Sequence, residues 1–123
     1  MNTLTITARD ALTGPVLTIA GDLDYDQAPR LRQYLEALSL EPGQRLVLDL
    51  SGIQFCDSSG ITALILARNR ALAARAELAL AAVPENTARI LHIVGLDQVF
   101  TIHPDLDAAT AATAGGPGAA GSA

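Results

Sequence analysis

The chain has 123 residues, half of them hydrophobic, and sets thirteen acids against eight arginines with no lysine, for a formal net charge of −5. That length fits one domain able to bury a core without disulfide or metal, and arginines scattered along the chain do not form the basic face that direct nucleic-acid binding requires. No apolar run approaches the roughly 18 residues that span a bilayer, the N-terminus lacks the basic-then-apolar order of a secretory signal, and without lysine there is no Schiff base, P-loop phosphate clamp or lysine base.

The expectation is therefore a cytoplasmic protein with no membrane insertion. Leu4, Ile6 and Ala8 alternate with polar residues, and Val16 to Ala20 resumes the alternation after Thr13-Gly14-Pro15, which predicts an opening hairpin. In "GDLDYDQAPRLRQYLEALSL" Asp26 is placed to cap a helix, Pro29 is tolerated in its first turn, and Ala28, Leu31, Leu35 and Leu38 share one face. "EPG" ends that helix.

"RLVLDLSG" shows little polar alternation, as expected of a central strand covered on both faces. "FCDSSGIT" then leads into a helix over "GITALILARNRALAARA", and "AELALAAVP" reads as another buried strand. Pro84 starts a third helix with Ala88, Leu91 and Val94 at helical spacing and Gly95 as its left-handed C-cap. "DQVFTIH" reads as a last strand, and Asp105 to Thr113 as a terminal helix. The closing "AGGPGAAGSA", residues 114–123, lacks side chains able to build a core and is expected to be a disordered tail, leaving 1–113 as the domain.

Strands alternating with helices imply an α/β fold: a mixed, mostly parallel sheet of about five strands, with a leading antiparallel hairpin and helices packed against it.

The chain holds no HExxH, CxxC, P-loop or GxGxxG, so no metal or cofactor is expected. Cys56, the single cysteine, has no partner for a disulfide or a metal site and reads as a small buried hydrophobe. Acids near strand ends, Asp22, Asp24 and Asp49, fit a phospho-accepting receiver, but that chemistry holds its phosphate with a lysine the chain lacks. Asp26 reads as a cap, and Asp22 and Asp24 as turn residues that also form part of a polar rim. A serine hydrolase would need His92 or His103 brought to Ser58 or Ser59, which nothing in the sequence demands.

Asp57-Ser58-Ser59-Gly60 between a strand and an apolar helix places hydroxyls among the free N–H groups of a helix N-terminus. Two readings stand together: capping alone, or a phospho-acceptor, since that position can hold a phosphate without refolding. On a helical wheel Ile61, Leu64, Ile65 and Leu72 cluster on the core side, with Arg68 at its edge. Thr62, Leu66, Asn69, Arg70 and Ala73 lie opposite, as a partner face or a solvated one.

"GDLDYDQAPRLRQYL", "RLVLDLSGIQFCDSSGITALILARNRA" and, more weakly, "VPENTARILHIVGLDQVF" give the chain a resemblance to the STAS domain family over about residues 3 to 106, and within it to the stand-alone anti-sigma-factor antagonists of bacteria. The resemblance implies a non-enzymatic protein that binds an anti-sigma factor with serine kinase activity, thereby freeing a sigma factor. It further implies inactivation by phosphorylation at Ser58, with Ser59 as neighbour or secondary acceptor, and restoration by a phosphoserine phosphatase. Asp22, Asp24, Asp57, Ser58, Ser59, Thr62, Leu66 and Arg70 would form the docking surface of a monomer or weak dimer. The alternative it leaves is a STAS module of another assembly, a stress-signalling complex or the regulatory subunit of a lipid-transporter ATPase.

Overall fold

A computed structural model describes residues 3–111; the tail expected over 114–123 lies outside them. The elements run β1 (Thr5–Ala11), β2 (Gly14–Leu23), α1 (Ala28–Ala37), β3 (Arg45–Cys56), α2 (Ser58–Ala73), β4 (Glu77–Ala81), α3 (Glu85–Ile93), a 3-10 turn (Leu96–Gln98), β5 (Thr101–His103) and α4 (Leu106–Thr110). The five strands stand in the order β1-β2-β3-β4-β5, with β1 antiparallel to β2 and every other pair parallel.

Because the parallel strands follow one another across the sheet in chain order, all three crossovers step the same way and carry their helices to one face. The core records this. Leu17, Ile19, Leu46, Leu48, Leu50, Leu78 and Leu80 pack with Leu31 and Leu35 of α1, Leu64 of α2 and Leu91 of α3. The intervening positions Val16, Val47, Ala79 and Ala81 turn to the opposite face, where they meet Ala109 of α4. Side chains alternate along a strand, so the uninterrupted apolar run Leu46–Leu50 is two buried faces read in turn: leucine toward the three larger helices, smaller residues toward α4. Asp49 is the polar exception, buried in the strand with its Oδ1 accepting the Ser51 N–H at 3.0 Å.

β2 and β3 carry the features that build the site. Their register slips between Thr18 and Ala20 and again between Gly21 and Asp22, so β3 uses more residues than β2 over the same span. Such bulges add twist and re-aim side chains at a strand end. Of β3, only Arg45–Asp49 pairs with β4. The rest of β3 therefore runs past β4 toward the α2 N-terminus.

Several sequence expectations require correction. β2 extends through Leu23, which places Asp22 inside the strand rather than in a loop. Asp26 does not cap α1: the residue at the cap position is Gln27, and the carboxylate that serves the turn is that of Asp24. Leu72 is 53% exposed, and the buried side of α2 runs through Gly60, Ile61, Ala63, Leu64, Ala67 and Ala71. That rotation brings small residues against the sheet and α1, while Arg68 is half-buried at the edge. Val94 is exposed beyond the end of α3. "DQVF" is not strand: Gly95, at φ 79°, ends α3 in the left-handed conformation as expected, and the chain tightens into the 3-10 turn before β5. Among the described residues no helix is long and apolar enough to cross a membrane.

Candidate functional site

At the C-terminal end of β3 the chain turns sharply into α2, and Asp57 organises the turn. Its backbone is extended, as an N-cap requires, and its Oδ1 accepts the N–H groups of Ser59 at 2.8 Å and Gly60 at 3.2 Å. Oδ2 accepts the N–H of Tyr25 at 3.2 Å, tying the β2–α1 turn to the same carboxylate. The Asp57 N–H in turn donates to Leu23 O at 3.3 Å. Gly60 is required by close approach: a Cβ there would lie 2.5 Å from Leu23 O and 2.6 Å from Cys56 Sγ.

Ser58 begins the helix with its side chain exposed. Among the described residues its hydroxyl has no hydrogen-bond partner, while its carbonyl accepts from Thr62 Oγ1 at 3.0 Å. Ser59 is half-buried, its N–H used by the cap. The two serines thus differ: Ser58 offers a free hydroxyl to solvent, and Ser59 faces a groove of about 510 Å³ bounded by Tyr25, Pro29, Arg32 and Thr62.

Cys56 lies beneath the turn. Burial first, and the neighbouring Asp57 charge second, push its thiol pKa up to about 11, so it stays protonated at neutral pH.

The remaining expected residues separate. Asp24 turns inward to the start of α1: its Oδ1 accepts the Gln27 N–H at 3.0 Å, and its carbonyl accepts the Ala28 N–H at 2.7 Å. Asp22, in β2 opposite Phe55, is only 9% exposed. Leu66 and Arg70 do not stand on the outermost side of α2; they face α1 across a second groove of about 270 Å³ that Arg32, Leu35 and Glu36 complete. Arg70 Nη2 donates to Leu38 O at 2.6 Å, fastening the end of α1 to α2. Thr62 lines the first groove beside Ser59, and Arg32 lines both.

Neither histidine reaches the serines. His92 Nδ1 lies 2.7 Å from Asp97 Oδ2 near the end of α3, and His103 closes β5 with its Nε2 buried and without a hydrogen-bond partner among the described residues.

Sequence reasoning missed three residues here. Tyr25 and Phe55 are 78% and 53% exposed on either side of the Asp57 turn, and Arg32 stands where the two α1–α2 grooves meet. The available signal was an aromatic residue set between two turn acids in "DYD".

Comparison with known proteins identifies the family and the fold. Residues 6–104 match the family model described as Mlab, STAS domain. The chain is 27% identical over 115 residues to the anti-sigma-F factor antagonist RsfB of Mycobacterium tuberculosis, covering 94% of this chain and 93% of that protein. It is 32% identical over 101 residues to a STAS-domain containing protein of Pseudomonas aeruginosa, covering 80% of this chain and 99% of that one. The crystal structure of an anti-sigma factor antagonist from Mycobacterium paratuberculosis superposes with a TM-score of 0.77 at 30% identity, covering 87% and 91% of the two chains.

Proposed function

This chain belongs to the STAS domain family, and from that premise we propose that it is an anti-sigma-factor antagonist, binding an anti-sigma factor with serine kinase activity and switched off by phosphorylation of Ser58. The observation that carries the reading is the free, exposed Ser58 hydroxyl at the first turn of α2, beside a groove that a partner can enter. Binding of the anti-sigma factor releases its sigma factor. In the transfer, Ser58 Oγ bonds the γ-phosphorus of ATP held by the partner as the bridging P–O bond to ADP breaks, and the serine proton passes to a base of the kinase. A phosphoserine phosphatase reverses the modification.

The switch needs no refolding. The phosphoryl group adds about −1.5 to −2 charges and three acceptor oxygens. The helix N-terminus offers it a favourable field, but two N–H groups of that turn are already taken by Asp57. At about 4 Å, each pair of like charges costs roughly 1 kcal/mol in water and roughly 4 at an effective dielectric of 20. In the complex the new phosphate meets Asp57 on its own chain and nucleotide phosphate on the partner, and burying it unpaired adds a desolvation cost. Every 1.4 kcal/mol or so is tenfold in affinity, so release follows from local repulsion and lost fit.

The chain is a binding protein rather than an enzyme in this account: neither Ser58 nor Ser59 has a histidine of its own chain hydrogen-bonded to it as an activating base, and the base for phosphorylation comes from the partner kinase. Incubation with ATP and candidate kinase-type anti-sigma factors, followed by mass-spectrometric mapping, tests the assignment. Phosphate on Ser58 with formation of a complex is expected; no complex, with label absent from Ser58 and Ser59, overturns it. Copurification with a transporter ATPase instead would assign the module to that assembly.

A further inference from the structure

The chain has four aromatic residues, two Tyr and two Phe. Phe100 is buried and Tyr34 packs against the core. The other two, Tyr25 and Phe55, are exposed, and both sit at the Asp57 turn: the Tyr25 N–H bonds Asp57, and Phe55 precedes it by two residues on β3. Each borders its own groove. Tyr25 walls the one that reaches Ser59 and Thr62, and Phe55 walls one of about 350 Å³ between the overhanging end of β3 and the start of α3.

We propose that Tyr25 and Phe55 are the two anchors of the partner interface, straddling Ser58, and that the occupant is a protein surface with an apolar pocket for each ring inside a basic rim. The inference rests on the reading of the chain as an antagonist and names what its partner must present. Two arguments select that occupant. Aromatic side chains that lose little entropy on burial dominate interface energetics, and folding has left these two outside the core. The charge around them is acidic: Asp26 lines one groove, Glu85 the other, and Asp57 stands between, while Arg32 is the single cation lining either. Glu85 meets Arg89 only at 3.8 Å with both side chains exposed, a pair too weak to cancel its field. A basic rim complements this surface and speeds encounter at low salt. Phosphoserine at position 58 then falls in the interface centre, where desolvation is greatest, rather than at the rim.

The test uses the kinase-type anti-sigma factor that labels Ser58 in the wild-type chain. Its affinity is measured by calorimetry for wild type, Tyr25→Ala, Phe55→Ala and Ile93→Ala, the last an apolar residue 73% exposed at the far end of α3. Each aromatic variant is expected to bind about tenfold or more weakly, Tyr25→Phe and Phe55→Leu to recover most of the loss, and Ile93→Ala to match wild type. All variants should melt as wild type does. Wild-type affinity should fall as salt rises. Wild-type-like binding by both alanine variants overturns the inference and leaves the antagonist reading intact; no binding or labelling of the wild type by any such kinase sinks the reading and the inference with it. Self-association of the chain that both alanine variants abolish would make a second copy the occupant and also overturn it.

Discussion

Asp57 holds together two segments 32 residues apart, its Oδ2 accepting the Tyr25 N–H at 3.2 Å while its Oδ1 caps Ser59 and Gly60. One carboxylate thereby sets both the acceptor helix and the turn that lines the neighbouring groove. Replacing Asp57 with Ala removes the cap and the tie, and should lower stability by about 1–2 kcal/mol; Asn, a good cap itself, should cost less. Urea denaturation checks the ranking. Hydrogen exchange should also show the Tyr25 amide opening faster in Asp57→Ala, which loss of a helix cap alone would not produce.

Gly60→Ala tests the close packing of the same turn. The added Cβ meets the Leu23 carbonyl at 2.5 Å and Cys56 Sγ at 2.6 Å; the carbonyl belongs to a strand and cannot yield. A loss of about 1–3 kcal/mol is expected from overpacking, together with weaker partner binding as α2 is pushed off β2. A melting temperature equal to wild type would show that the turn has more room than this packing allows.

Cys56 gives a pH signature. Its pKa rises from 9.0 to about 11 in the folded chain, through burial and the Asp57 charge. The folded state therefore keeps its proton after the unfolded chain has lost it. Stability should be unaffected by this group below pH 9 and should decline as pH rises from 9 toward 11. Cys56→Ala should flatten that decline. In the native protein a thiol reagent at pH 8 should react slowly, and urea should expose the thiol at once.

The fold was legible because its signals are local and repeated. Leu46, Leu48 and Leu50 alternate with Val47 along one strand, and Asp57 before two serines and a glycine is a helix entry by chemistry alone. The rotation of α2 was not legible. This helix carries leucine or isoleucine on more than one side, so by composition the bulky Leu72 is as fit for the core as Ala67 or Ala71, and only the distance to β3, β4 and α1 selects the small residues. Asp22 fell on the wrong side of a strand end because the bulges that lengthen the β2–β3 pairing leave no mark in the hydrophobic pattern. Asp26 and Asp24 are equally good turn acids in "DLDYD", and only the geometry of the turn assigns the bond to Asp24. Tyr25 and Phe55 escaped notice for a related reason: an aromatic residue is ordinarily credited to the core, and its exposure depends on the whole fold.

Substitutions at Ser58 separate its two roles. Ser58→Ala should abolish phosphorylation and leave folding and partner binding intact, because Asp57 caps the helix and the Ser58 hydroxyl bonds nothing among the described residues. Ser58→Asp adds one charge beside Asp57 and should weaken binding by about tenfold, about 1.4 kcal/mol. Equal binding by the two variants would count against an electrostatic switch.

The most direct measurement is the affinity of the wild-type chain for its kinase-type anti-sigma factor before and after stoichiometric phosphorylation of Ser58. The account predicts a tight complex with the unmodified chain, a loss of a hundredfold or so on phosphorylation, on the order of 3 kcal/mol, and full recovery after phosphatase treatment. Equal affinity of the two forms, or tighter binding by the phosphorylated one, would contradict it.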